Sequence, residues 1–138
     1  MGQAIGHMTN NFHDTTEITT AQALAQAYQS GRRSFEGVNL SAQNLSRLDL
    51  KGADLSHADL SESDLTQVNL RGADLSYADL RYTNLTQADL RGACLIGTDL
   101  REAVLTGTRL QDADYDPDET HFPKAFDLAA AAMRSDRP

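Results

Sequence analysis

At 138 residues with 40% apolar side chains and no Trp, the chain has the size of one domain and enough apolar material for a core. A formal net charge of −8 disfavours nucleic acid as a partner, because phosphate binding needs a basic surface. No apolar run approaches the roughly eighteen residues of a membrane span, no basic-then-apolar leader opens the chain, and the single Cys94 excludes an internal disulfide, so a reducing, cytoplasmic setting is expected.

Residues 1–17 lack periodicity and are rich in Asn, Thr and Gly, which predicts a flexible lead. Gly6-His7-Met8 resembles a cloning junction, with Met8 as the natural start. Over 18–31 the pattern becomes helical: Thr19 is placed to cap, Ala21, Leu24, Ala25 and Tyr28 recur at helical spacing, and Gly31 stops the run. Three weakly amphipathic turns do not fold alone. The expected task of this helix is to cover the end of the segment beyond it.

That segment, over 32–116, repeats every five residues. Phe35 opens the series, fifteen leucines run from Leu40 to Leu110, and Tyr115 closes it, seventeen pentads in all. Two places before each central residue stands a small or apolar one in most pentads, for example Ala53, Val68, Ala78 and Ala93, with Asp or Asn between. A period of five fits neither the 3.6 of a helix nor the 2 of a strand, so the chain must turn at every pentad and bury its leucines by stacking. Lys51-Gly52-Ala53-Asp54-Leu55 recurs at Arg71 and at Arg91, twenty residues apart each time, which makes four pentads to a coil. Coils would then stack about 4.8 Å apart, giving about four coils and an axis of roughly 20 Å.

This stretch of 83 residues resembles the pentapeptide repeat family, whose motif is A(D/N)LXX. The resemblance implies an all-β, right-handed quadrilateral β-helix with the central Leu and the residue two before it pointing inward. It also implies an end-to-end homodimer as the alternative to a monomer.

The repeat has no Pro, as pairing of its backbone N–H groups between coils demands. Its glycines, 37, 52, 72, 92, 97 and 107, all stand two after a central residue, where a corner needs permissive φ. Phe35 and Tyr115 end one interior column, either as aromatic plugs or merely as residues with more room near the ends. After Asp116-Pro117 the pattern stops. Over 117–138, Phe122, Phe126, Leu128 and Met133 either cap the last coil or contact a second copy, and Asp127 is placed to cap a short helix through the alanines to Arg134.

No catalytic, cofactor or metal site is legible: His7, His13, His57 and His121 have no ligand-spaced partners, and phosphate-loop and nucleophile motifs are missing. The Asp before each Leu is read as a turn-shaping residue that accepts backbone hydrogen bonds, rather than as a Ca²⁺ or catalytic ladder through Asp59, Asp79 and Asp99. Lys51, Arg71 and Arg91 form a basic line, joined on an adjoining side by Arg81 and Arg101, and pairing with neighbouring Asp is expected there. His57 and Tyr77 share a corner, Tyr82 projects from the next, and exposed aromatics are the best interaction candidates. Cys94 stands in an Asp column and is expected to be unreactive. The expectation is a non-catalytic interaction module for an unidentified protein partner. The alternative, implied by the family resemblance, is a DNA mimic acting on DNA gyrase or another DNA-binding protein, which the repeat's 13 acidic and 8 basic residues support only modestly.

Overall fold

The computed structural model of the chain describes residues 17–136. The expected lead up to residue 16, with His7, His13 and the Gly6-His7-Met8 junction, lies outside the described residues.

The first element is helix α1, Ala21–Gln29. Thr20, not Thr19, caps it: Thr20 is extended, with φ −134° and ψ 158°, and its Oγ1 accepts from the N–H of Ala23 at 3.1 Å. The far end closes as a Schellman turn, in which Arg32 N–H donates to Ala27 O and Gly31 N–H to Tyr28 O, both at 3.0 Å, with Gly31 at φ +103°. Leu24 is fully buried in the same apolar cluster as Ile18 and Phe35. Two polar contacts hold α1 against the neighbouring coil: Ala21 N–H donates to Gln43 Oε1 at 3.2 Å and Tyr28 Oη–H to Lys51 O at 2.7 Å.

From Ser34 onward the chain winds as a parallel solenoid with a register of twenty residues. Four ladders run along it: Ser34–Asp54–Asp74–Cys94–Asp114, Asn39–Asp59–Asp79–Asp99, Asn44–Asp64–Asn84–Val104 and Asp49–Asn69–Asp89–Arg109. Each defines one wall. Taking one rung, Leu55 N–H donates to Asp74 O at 2.8 Å, Asp74 N–H to Ala53 O at 2.9 Å and His57 N–H to Ser76 O at 2.9 Å. Between walls the chain turns on a bond such as Ala58 N–H to Leu55 O at 3.1 Å. The third residue of each turn has positive φ and the second does not, which is the type II signature. Glycine suits that place, yet His57, Tyr77 and Gln87 adopt it too, near φ +60°. The ladder evidently outweighs the cost of about 1 kcal/mol or more that a side chain incurs there.

The leucines and the residues two before them fill the interior: Leu40 through Leu100 at the central places and Ala53, Val68, Ala73, Ala88 and Ala93 among the inward partners are essentially inaccessible. Leu105, near the end, is half-buried. Where the inward residue carries a hydroxyl, a backbone carbonyl accepts from it, as with Thr83 Oγ1 to Leu80 O and Thr98 Oγ1 to Leu75 O, both 2.8 Å. Among the described residues no buried side-chain polar atom lacks a partner, so the polar inclusions cost little. Phe35 ends its interior column fully buried, whereas Tyr115 is only half-buried and meets Phe122 edge-on at 5.8 Å.

The C-terminal segment departs from expectation. Asp127 Oδ1 does accept from Ala130 N–H at 3.1 Å, but no α-helix forms beyond it; the alanines make a single 3₁₀ turn, Ala129–Ala131. Strand β2, Arg134–Ser135, then pairs in parallel with strand β1, Asp114–Tyr115, again twenty residues apart. A run of four alanines is too short to hold a helix alone, and ladder bonds such as Arg134 N–H to Ala113 O at 2.8 Å take the backbone instead. His121 extends the Asp99 ladder. Phe122, Phe126 and Met133 pack on the core, with Phe122 and Phe126 stacked at 4.8 Å, while Leu128 is half-buried.

Candidate functional site

The outward columns carry whatever the molecule presents. The Asp or Asn before each central residue turns back to the chain: Asp54 Oδ1 accepts from Ser56 N–H at 3.0 Å and from Ser56 Oγ–H at 2.6 Å, and Asp64, Asp74 and Asn84 accept the N–H two residues on in the same way. These carboxylates are structural acceptors of Asx type. The hydrogen bonds from Thr66 hold the Asp64 carboxyl below the ordinary range.

Three arginines extend this pattern into ion pairs. Arg81 grips Asp79 through Nε–Oδ1 at 2.9 Å and NH2–Oδ2 at 2.8 Å; Arg91 grips Asp89 and Arg101 grips Asp99 by the same fork. Arg81 also approaches Asp99 at 3.8 Å, linking two coils. Hydrogen bonding by each arginine is the main cause that holds Asp79, Asp89 and Asp99 below the usual carboxylate range. Lys51 and Arg71, the other members of the basic line, make no ion pair among the described residues. The twenty-residue coil sets Arg81 and Arg101 half a turn from that line, opposite it rather than on the adjoining side expected from the sequence.

The aromatic corner forms as a stack. His57 and Tyr77 lie nearly parallel with centroids 5.4 Å apart, and Tyr77 Oη–H donates to Glu119 Oε1 at 3.2 Å. That bond is the first cause raising the tyrosine pKa. Tyr77 remains 48% exposed and Tyr82, on the next corner, 61% exposed. Cys94 is half-buried within its Asp column, and burial is the main cause pushing its thiol up, which opposes thiolate reactivity. Among the described residues no group of three His, Cys, Asp or Glu is placed to hold a metal, and no helix is long and apolar enough to cross a membrane.

Two features escaped sequence reasoning. Gln67 and Gln87 form an amide ladder on one corner, with Arg47 Nε donating to Gln67 Oε1 at 2.9 Å and Gln67 Nε2 to Gln87 Oε1 at 3.0 Å. Arg109 occupies an Asp/Asn column and stands exposed. Both are visible once the sequence is written in twenty-residue rows.

The architecture and its self-satisfied walls define a repeat protein of the solenoid class, and likeness to known proteins identifies which. The pentapeptide repeats family model matches residues 34–72, 54–92, 69–107 and 83–114, with 8 copies of the repeat. The chain belongs to the pentapeptide repeat family. The crystal structure of alr5209, a pentapeptide repeat protein from Nostoc PCC 7120, is similar at 47% identity and a TM-score of 0.85, over 88% of this chain and 99% of that one. HetL, a pentapeptide repeat protein involved in heterocyst differentiation regulation in Nostoc sp. strain PCC 7120, is 31% identical over 72% of this chain and 50% of its own, with a TM-score of 0.40. QnrB1, a plasmid-mediated fluoroquinolone resistance protein, is 14% identical over 74% of this chain and 68% of its own, with a TM-score of 0.33. No curated protein matches the sequence.

Proposed function

We propose that the protein is a non-catalytic interaction module: a rigid acidic rod of about four coils, closed at one end by α1 and at the other by residues 117–136, that binds another protein through its walls in a reducing compartment. One observation carries this reading. The wall carboxylates are largely engaged by the turns and by arginine forks, whereas Tyr77 and Tyr82 stand exposed on adjoining corners and Val104 on the wall beyond Tyr82, amid mainly polar residues. Exposed aromatics in such a setting suit recognition better than chemistry. The test is capture from a lysate of the source cell by the immobilised protein. A partner held by the wild type and lost with Tyr82→Ser supports the reading; identical capture by both overturns it.

A second reading, duplex mimicry towards DNA gyrase or another DNA-binding protein, draws on the wall of Asp54, Asp74 and Asp114 with Glu36 and Asp116, although Arg134 extends that ladder and pairs with Asp114 at 3.0 Å. Against it, Arg81 and Arg101 interrupt the negative field on the next wall. No inhibition of gyrase supercoiling is expected at micromolar protein. Inhibition in that range, weakened by added salt, would replace the interaction reading with mimicry.

A further inference from the structure

The charge on the rod is segregated by wall. The columns Asp49–Asn69–Asp89–Arg109 and Lys51–Arg71–Arg91–Gln111 place four cations against two carboxylates on a molecule whose net charge is −8. The cause is specific. Arg81, Arg91 and Arg101 each stand two residues after an Asp and are neutralised by the fork, but Asn69 stands before Arg71, and Arg109 replaces the Asp/Asn itself. Arg71 and Arg109 accordingly form no ion pair among the described residues, and both are exposed.

Around them the surface is hollowed. A depression of about 530 Å³ is lined by Arg71, Arg91, Gly92, Arg109, Gln111 and Asp112, and a second of about 560 Å³ by Gln67, Gln87, Asp89, Gly107 and Arg109. Arg109 borders both, so the two adjoin. Gly92 and Gly107 keep the flanking corners low. The Gln87 amide, whose oxygen is taken by Gln67, has its nitrogen left as a donor beside Arg109. The lining is thus rich in donors with forked geometry, which match carboxylates in pairs.

We propose that this wall is the docking face for an extended, carboxylate-rich segment of a partner protein. The inference rests on the interaction-module reading and gives the partner its chemistry. A short acidic segment fits better than a duplex. The basic wall is one pentad wide, and the adjoining wall, reached across the Gly52–Gly72–Gly92 corner, carries Asp54 and Asp74, with Asp114 beyond them paired to Arg134 at 3.0 Å. Those charges lie within the roughly 10 Å Debye length at 0.1 M salt and would repel a polyanion that overhangs the wall.

The experiment uses the full chain and a fluorescein-labelled hexaglutamate peptide, observed by fluorescence anisotropy at low and moderate salt. The wild type should bind, more weakly as salt rises, and Arg71→Gln/Arg109→Gln should lose about fivefold to tenfold in affinity. Arg81→Gln/Arg101→Gln, on the opposite wall, should lose less than about twofold. Amide shifts in the wild type should concentrate at Gln67, Gln87, Gly92, Gly107 and Gln111, a readout that needs no variant. No binding by the wild type, equal losses in both double variants, inorganic phosphate competing as well as the peptide, or tighter binding of a short DNA duplex would each overturn the proposal. A partner captured through Tyr82 with no peptide binding removes this inference alone. Peptide binding with no captured protein removes the interaction-module reading and, with it, a partner protein as the occupant of this wall.

Discussion

The ring of Tyr77 lies over Gly97, so that a Cβ on Gly97 would clash with Tyr77 Cδ1 and Cε1. The glycine therefore leaves space for the ring that stacks on His57 and reaches Glu119. Gly92 has similar φ, +69° against +75°, but open space where its Cβ would be. Both Gly→Ala changes cost about 1 kcal/mol of left-handed strain. Gly97→Ala should cost about 1 kcal/mol more, because the Tyr77 ring must leave its stack. Urea midpoints measure both, and in a Tyr77→Ala background the two glycine variants should become equal. A Gly97→Ala midpoint matching that of Gly92→Ala in the wild type would show that the ring contact contributes nothing.

Leu75 is inaccessible in the middle of the solenoid, and Arg71, on the preceding corner, is exposed. Leu75→Asp should abolish cooperative folding, since an unpaired buried carboxylate costs several kcal/mol. Arg71→Ala should shift stability by less than about 0.5 kcal/mol. Circular dichroism during urea titration distinguishes them, and comparable midpoints would be incompatible with the inward and outward placement.

If α1 closes the first coil, its one fully buried side chain should keep the rod soluble. Leu24→Asp should release the helix from Phe35 and expose the apolar end, and static light scattering should then report self-association. Tyr28→Phe, which removes only the bond to Lys51 O, should leave the protein in the wild-type state. A Leu24→Asp protein that scatters like the wild type would show that the helix is dispensable as a cover.

Acid should weaken the fold through Asp79, Asp89 and Asp99. Their folded-state pKa values are depressed, mainly by hydrogen bonds from Arg81, Arg91 and Arg101. Unfolded, they titrate near about 3.9. A depressed folded pKa means that the folded state binds protons less readily, so the stabilisation is full above about pH 4 and lost as pH falls through the folded values. The urea midpoint should drop between pH 7 and pH 3. Replacing the three arginines by Gln should shrink that drop, although partial exposure of the pairs keeps the effect modest. An unchanged drop would assign acid sensitivity to other groups.

The pentad period is legible in the sequence because each unit makes the same local decision. A central Leu and a small inward residue bury, an Asp or Asn ties the turn, and repetition makes the signal unmistakable. The twenty-residue recurrence of Lys51, Arg71 and Arg91 then fixes which residues stack, so the His57–Tyr77 contact is a consequence of register. Tertiary structure decided what no period encodes. The alanines before Met133 have helical propensity, yet they make only one 3₁₀ turn before Arg134 and Ser135 join a ladder to Asp114 and Tyr115, twenty residues away, and a non-local partner leaves no local trace. The charge state of the walls is decided in the same way. Arg91 and Arg71 look equivalent in the repeat, but the fork forms on the group two residues before the arginine, and there Asp89 neutralises one while Asn69 leaves the other facing solvent.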